Sequence, residues 1–342
     1  MPALRLSVIM PMHNAAPFVG MAIDSILAQS AVDFTFYIVD DGSTDGSGAI
    51  AAEKAARDPR IRLIVQENRG IVASLNHMLA LVDTDFVARM DADDVALPLR
   101  FEKQLARLEA EPALGALGTQ FIEIAANGRI LDAHYRQPTG TETIRAELAH
   151  RQPIANPSAM FRTQALRDAG LYRQAFRHCE DYDLFLRLSE IADIDNLPDI
   201  LLHYRRSPGQ MSVLNNAPQT RQAAYARLAH YERLAGRPDP FVGLDALPPT
   251  AELDALLGQP GVGARLEAAI LTELRYAVAT MNDAEFADYC ARVADGIAVT
   301  GGGRAVLRCL AGARFGRAAR LTLALLRRAM GQRRVANRSA RD

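Results

Sequence analysis

Cysteine is scarce in this chain: three residues in 342, at positions 179, 290 and 309, with no C-x-x-C pair. Thiols so few and so far apart exclude a disulfide framework, argue against a structural zinc site, and fit a reducing compartment. Charge of one sign is missing as well. Lys and Arg number 39 against 40 Asp and Glu, a formal net charge of −1. That removes the broad basic field a nucleic-acid partner needs. No uninterrupted apolar run reaches membrane-spanning length. The opening stretch, MPALRLSVIMPMHN, has too short an apolar run for a signal peptide. The expected location is therefore cytoplasmic. Several catalytic signatures are absent too. With no G-x-x-x-x-G-K-[ST] loop and no G-x-G-x-x-G after the first apolar run, a P-loop ATPase and a dinucleotide oxidoreductase are both disfavoured. There is no H-E-x-x-H, and no serine sits in a G-x-S-x-G elbow.

What is present is alternation. Apolar runs at 5–10, 34–40, 62–66 and 86–90 read as buried strands. Between and after them, 17–30, 43–57, 70–82 and 98–112 carry apolar residues at helical spacing, with Pro17 and Pro98 near helix starts. Strand-helix alternation of this kind predicts an α/β fold, a mostly parallel sheet flanked by helices. Past 112 the pattern changes. Residues 114–124 read as a strand, and Asn127-Gly128 signals a hairpin turn. Residues 141–150, 163–169 and 179–192 read as helices. From about 215 the chain becomes Ala-, Leu- and Arg-rich and reads as a separate helical region. The expected organisation is a catalytic domain over 1–214, with halves at 1–112 and 113–214, and a helical region over 215–342.

In open parallel sheets, ligands bind at the carboxyl ends of the strands. The residues just after each strand are therefore informative. They are Pro11, His13 and Asn14; Asp40, Asp41 and Ser43; Glu67, Asn68 and Arg69; and Asp91, Asp93 and Asp94. Singly, each group is also what a helix cap or a solvated turn looks like. Four such groups on one edge point to a site. Three acids crowded at one strand end repel one another unless something neutralises them. Hard oxygen ligands suit Mg²⁺ or Mn²⁺, ions that also bind substrate phosphates. Asp91-Ala92-Asp93 thus suggests a metal-diphosphate site. A transfer enzyme also needs a base for its nucleophile. Glu180-Asp181, in the first turn of a helix, offers carboxylates that the helix dipole favours in ionised form, although acids are common there in any helix.

Taken in order, SVIMPMHN, YIVDDGSTDGS, ENRGIVASLN, ARMDADDVALPLRF and CEDYDLFLRL resemble the motifs of glycosyltransferase family 2. HYRRSPGQMS at 203–212 resembles the segment that often closes the catalytic domain of that family. The resemblance spans roughly residues 5 to 212. It implies a GT-A fold and inverting sugar transfer from a nucleotide-diphosphate sugar, a UDP-sugar for preference, to a glycan or lipid-linked glycan. By the same resemblance, Pro11 lines the nucleoside pocket beside His13, and Asp41 meets the base edge. Arg69 lies near base or phosphates, Asp91 near ribose and metal, and Asp93 on the metal, Mn²⁺ or Mg²⁺. Asp181 is the general base with Glu180 in support, and His203, Arg205 and Arg206 cover the diphosphate. His13 stands where many relatives carry an aromatic residue. The chain has no tryptophan, so the Q-x-x-R-W motif of processive synthases is absent. One sugar per encounter is the expectation.

From Arg304 onward the only acid is Asp342, while arginine recurs eleven times among leucines and alanines. Such a helix suits either packing on its neighbours or peripheral contact with an anionic membrane. Two other functions compete: a sugar nucleotidyltransferase and a non-catalytic nucleotide-sugar-binding module. The first normally carries a Gly-rich basic signature where PMHNAAPF stands. The second has no use for both the metal acids and the Glu-Asp helix.

Overall fold

The structure, a computed structural model, describes residues 5–31, 33–134, 136–206, 216–274, 281, 283–294 and 317–325. Its contacts group the chain into two units, Met1–Gln210 and Met211–Asp342.

The first unit opens with β1 (Leu6–Met12), α1 (Val19–Leu27), β2 (Phe34–Asp41), α2 (Ser47–Arg57), β3 (Ile61–Gln66), α3 (Ile71–Leu81) and β4 (Phe86–Arg89). All seven residues of β1 and all four of β4 are buried. Strands covered on both faces must be apolar throughout, so these read as continuous rather than alternating runs. β2 pairs in parallel with β1 and β3, and β1 with β4. Pro11 lacks a donor, yet sits in β1 opposite Val39; the pairing with β4 has already ended at Ile9, so no ladder bond is lost on that side. The core is built from Val8, Met10, Phe36, Ile38 and Ala88, with Ile23, Ile26 and Phe101 from the covering helices. Phe34 and Phe101 pack edge to face at 5.8 Å.

The unit continues with β5 (Val95–Ala96), α4 (Arg100–Ala110), β6 (Leu114–Ala125), β7 (Ile130–Asp132), α5 (Thr141–Leu148), β8 (Met160–Arg162), α6 (Thr163–Asp168), α7 (Glu180–Leu188) and β9 (Asp193–Arg206). The sheet order is β3-β2-β1-β4-β8-β6-β9-β5, with β7 on β6. β8 runs antiparallel to β4 and β6, whereas β6 and β9 are parallel. The sheet is thus mixed α/β and largely parallel, as expected. Strands β5, β8 and β9 had no clear signature in the sequence. β5 and β8 are too short for a period. β9 is interrupted by Pro198, and its register against β6 shifts there, with Thr119 opposite Leu197 and Gln120 opposite Ile200. A proline inside a run weakens a strand reading, and here the chain absorbs it as a bulge.

The second unit is helical: α8 (Asn216–Leu234), α9 (Leu253–Leu257), α10 (Val262–Leu274), α11 (Asp283–Ala294) and residues 317–325. Glu267 is buried within it and accepts from Thr250 at 2.8 Å and Arg292 at 2.6 Å. Arg317, on the expected basic tail, donates to Asp283 at 2.9 Å and lies over the Phe286 ring. Of that tail, residues 304–316 and 326–342 lie outside the described residues. Among those described, no helix is long and apolar enough to cross a membrane.

Candidate functional site

The carboxyl ends of β1 to β4 carry two differently built groups of side chains. The first surrounds Asp41. Its Oδ1 accepts from Gln66 Nε2 at 2.7 Å and from the Arg69 backbone N–H at 2.9 Å; its Oδ2 accepts from the Gly70 N–H at 2.8 Å. Burial works to raise its pKa, but these donors together hold the carboxyl below its ordinary range. The loop can approach because both turns carry glycine. Gly42 has φ +75° and a Cβ there would meet the Asn68 nitrogen at 2.9 Å; Gly70 has φ +84°. His13 Nδ1 lies 2.9 Å from the Asp41 carbonyl, and Asn14 Nδ2 lies 3.0 Å from His13 Nε2. A proton on Nδ1 satisfies both contacts. The Asn68 amide approaches the same ring at 3.3 Å. Pro11, buried in β1, lies two residues before this ring, and the Arg69 side chain is exposed.

The second group is acidic. Carboxylate oxygens of Asp91, Asp93 and Asp94 lie within 4.8 Å of one another. Asp91 is ion-paired with Arg89, which β4 buries two residues earlier on the same face. Burial works against the Arg89 charge, but Asp91 more than offsets it and keeps the guanidinium firmly protonated. Asp94 is buried. Its Oδ1 accepts the Arg205 backbone N–H at 2.7 Å, and its Oδ2 has no partner. Burial, then the charges of Asp93 and Asp91, push its carboxyl well above the ordinary range. A buried carboxylate oxygen without a donor is costly. Oxygens each about 2.1 Å from one cation stand at most about 4.2 Å apart, so this donor set fits a hard divalent ion after a small closure.

α7 brings Glu180 and Asp181 to this group. Its first turn is fixed by Asp183, buried and paired with both Arg173 and Arg187. Burial, reinforced by Asp181, pushes Glu180 up to about 8, and Arg89 and Asp91 also act on it. Asp181 is raised by burial, against the opposing pull of a 2.9 Å hydrogen bond from Gln152 Nε2. Tyr172 is buried beside them with a hydroxyl that has no partner. Its backbone is held on both sides by Asn76 of α3, at 2.8 and 3.2 Å.

The end of β9 carries the three residues that the resemblance sets over a diphosphate. Arg205 is buried, and its guanidinium donates to the carbonyls of Asp93 at 2.6 Å, Ala125 at 3.1 Å and Ala126 at 3.0 Å, with Phe18 stacked 4.8 Å away. These bonds brace the Asp93-Asp94 turn, and its Nη2 lies 3.5 Å from the Met21 sulfur. His203 lies opposite Val95 and is half-buried; burial, then Arg205, lowers its pKa. Arg206 pairs with Glu123 at 2.5 Å.

Arg89, Asn76, Gln152 and Tyr172 were missing from the sequence reading. Arg89 alone had a usable signal, an arginine two positions before an acid in a strand. The others work through partners 29 to 96 residues away.

A largely parallel sheet with acidic side chains gathered at its strand ends, followed by a mixed sheet that adds a carboxylate-bearing helix, is the GT-A architecture of sugar-transferring enzymes. The first 349 residues of S. aureus TarS, solved with UDP-GlcNAc, share this fold at a TM-score of 0.58 and 17% identity, over 96% of this chain and 92% of that one. The family profile "Glycosyl transferase family 2" matches residues 7–170. The O-antigen biosynthesis glycosyltransferase WbnJ of Escherichia coli is 32% identical over 230 residues, covering 66% of this chain and 86% of WbnJ. The Bacillus subtilis protein EpsE is 35% identical over 193 residues, covering 54% of this chain and 67% of EpsE. The chain belongs to glycosyltransferase family 2 and is a glycosyltransferase.

Proposed function

We propose that this glycosyltransferase moves a sugar, with inversion and one residue per encounter, from a UDP-sugar to a hydroxyl of a glycan or lipid-linked glycan. One observation carries the reading: three strand-end acids with an unpartnered buried oxygen share one electrostatic group with the raised carboxyl of Asp181. The donor preference is supported by Asp41, His13 and Asn68 at the base end, and by the UDP-GlcNAc of the TarS structure. The acceptor class is supported by the naming of WbnJ.

Asp93 and Asp94, with Asp91, would hold Mn²⁺ or Mg²⁺. Such an ion stabilises the charge that develops on a leaving diphosphate. Arg89 fixes Asp91, and Arg205 fixes the turn that carries Asp93. Pro11, Asp41, His13 and Arg69 hold the nucleoside end, and His203 flanks the turn. Asp181 accepts the proton of the acceptor hydroxyl. The acceptor oxygen bonds to the anomeric carbon as the bond from that carbon to the diphosphate breaks, and UDP departs. Attack from the face opposite the leaving group inverts the centre. Glu180, protonated at neutral pH, leaves Asp181 as the carboxylate best able to accept that proton.

The test is UDP release from a panel of UDP-sugars, with glycan and lipid-linked acceptors and Mn²⁺ present, by wild type and Asp181→Asn. Loss of release with UDP binding retained supports the reading. Turnover like that of wild type removes Asp181 from the mechanism.

A further inference from the structure

The segment between α5 and the turn at Asn156–Ser158 joins three parts of the first unit. The Asn196 side chain, from β9, donates to the Pro153 carbonyl at 2.9 Å. Where the segment leaves α5, the Tyr182 hydroxyl, from the first turn of α7, donates to the carbonyl of Leu148, the last residue of α5. Ile154 is fully buried. A rigid segment is therefore set against the helix that carries Asp181.

Gln152 projects from it. Its Nε2 donates to the Ile154 carbonyl at 2.9 Å and to Asp181 Oδ2 at 2.9 Å. The first contact decides the orientation of the amide. A carbonyl can only accept, so the nitrogen end must face it, and the same nitrogen then faces Asp181. A flipped amide would set its oxygen against a carbonyl and a carboxylate at once. Asp181 Oδ1 is taken by the Tyr182 backbone N–H at 2.7 Å. Each carboxylate oxygen thus has one protein donor and keeps a lone pair for another.

We infer that Gln152 is a positioning residue for sugar transfer: it fixes the rotamer of Asp181 and holds that carboxylate ready to receive the acceptor's proton. This inference rests on the reading of Asp181 as the base. The other charged or titratable groups facing Asp181 are Glu180 on its own helix, Arg89 on β4 and Tyr172 on the loop before α7. Burial works against ionisation of Asp181, and Arg89 works for it. Gln152 is the side chain that donates a hydrogen bond directly to Asp181.

The experiment is a carbon-13 NMR titration of Asp side-chain carboxyls in the full chain, wild type against Gln152→Glu and Gln152→Met, with Asp181→Asn assigning the resonance. The methionine keeps volume and loses the donor; it decides the matter should the glutamate variant fail to fold. The Asp181 midpoint is expected to rise by about one pH unit or more, a tenfold change in proton affinity. The acidic limb of UDP release moves with it, and the profiles of wild type and Gln152→Met converge at high pH. UDP affinity stays as in wild type, which a general loosening of the fold would not leave untouched. An Asp181 midpoint that does not move in either variant overturns the inference. An Asp181→Asn protein that still turns over removes the base assignment instead, whatever the titration shows.

Discussion

The Asp41 region and the Asp91–Asp94 region sit on the same sheet edge and spend their carboxylates in opposite ways. Asp41 meets two backbone N–H groups and a glutamine amide, and its carboxyl is held down. Asp94 is buried and Glu180 half-buried, each with fewer donors, and both are pushed up. A charge satisfied by the chain is part of the scaffold. A buried charge left short of partners is waiting for a proton, a cation or a substrate. The contrast separates a prebuilt end, proposed above for the nucleoside, from the end proposed for the chemistry.

The largest break in that contrast is expected at the reactive end. Asp181→Asn keeps the shape and removes the base, and a loss of about a thousandfold in UDP release is predicted, within the range of general-base deletions. Thermal stability should be unchanged or slightly higher, because a raised carboxyl is removed. At the scaffold end the signs reverse. Asp41→Asn puts an amide nitrogen against donors that the carboxylate satisfied, with an expected cost of about 3 kcal/mol. For a unit of this size that is a melting point lower by roughly 6–12 °C, read by calorimetry. A melting point that does not fall would show that Asp41 is not scaffold.

A cation should reverse the deficit at Asp94. With UDP present, Mn²⁺ at a hundred times its dissociation constant stabilises by about 2.7 kcal/mol. The melting point should rise in wild type, rise less in Asp94→Asn, and fall back with a chelator. The smallest effect concerns pH. The folded-state pKa of Glu180, about 8, lies above its ordinary unfolded value. The stability linked to that difference is fully present below the unfolded value and is lost as pH rises through about 8. In metal-free protein, Glu180→Gln should flatten the decline in melting temperature between about pH 5 and 9.

Much of the first half was legible because its strands are buried on both faces and its loops carry the chemistry. Val8 to Met10 and Phe86 to Arg89 read as strands; Asp91, Asp93 and His13 follow strand ends as expected, and Asp41 is the last residue of β2. What failed to read depended on burial or on distant partners. Arg205 was placed over the diphosphate by resemblance alone; its bonds to the carbonyls of Asp93, Ala125 and Ala126 could not be read from the sequence. Pro198 hid β9, because a bulge that rescues a proline leaves no periodicity behind. Gln152 and Asn76 are ordinary polar residues in sequence; their roles exist only once α7 and the loop after α6 are packed against them.

The central claim is that the Asp91–Asp94 group completes a metal-diphosphate site, and calorimetric titration of UDP tests it most directly. The titration is run with Mn²⁺ and with chelator, into wild type and Asp93→Ala. Binding to wild type that requires the metal and is lost in Asp93→Ala is the predicted result. UDP binding that is equally tight with chelator, or unchanged in Asp93→Ala, would contradict it.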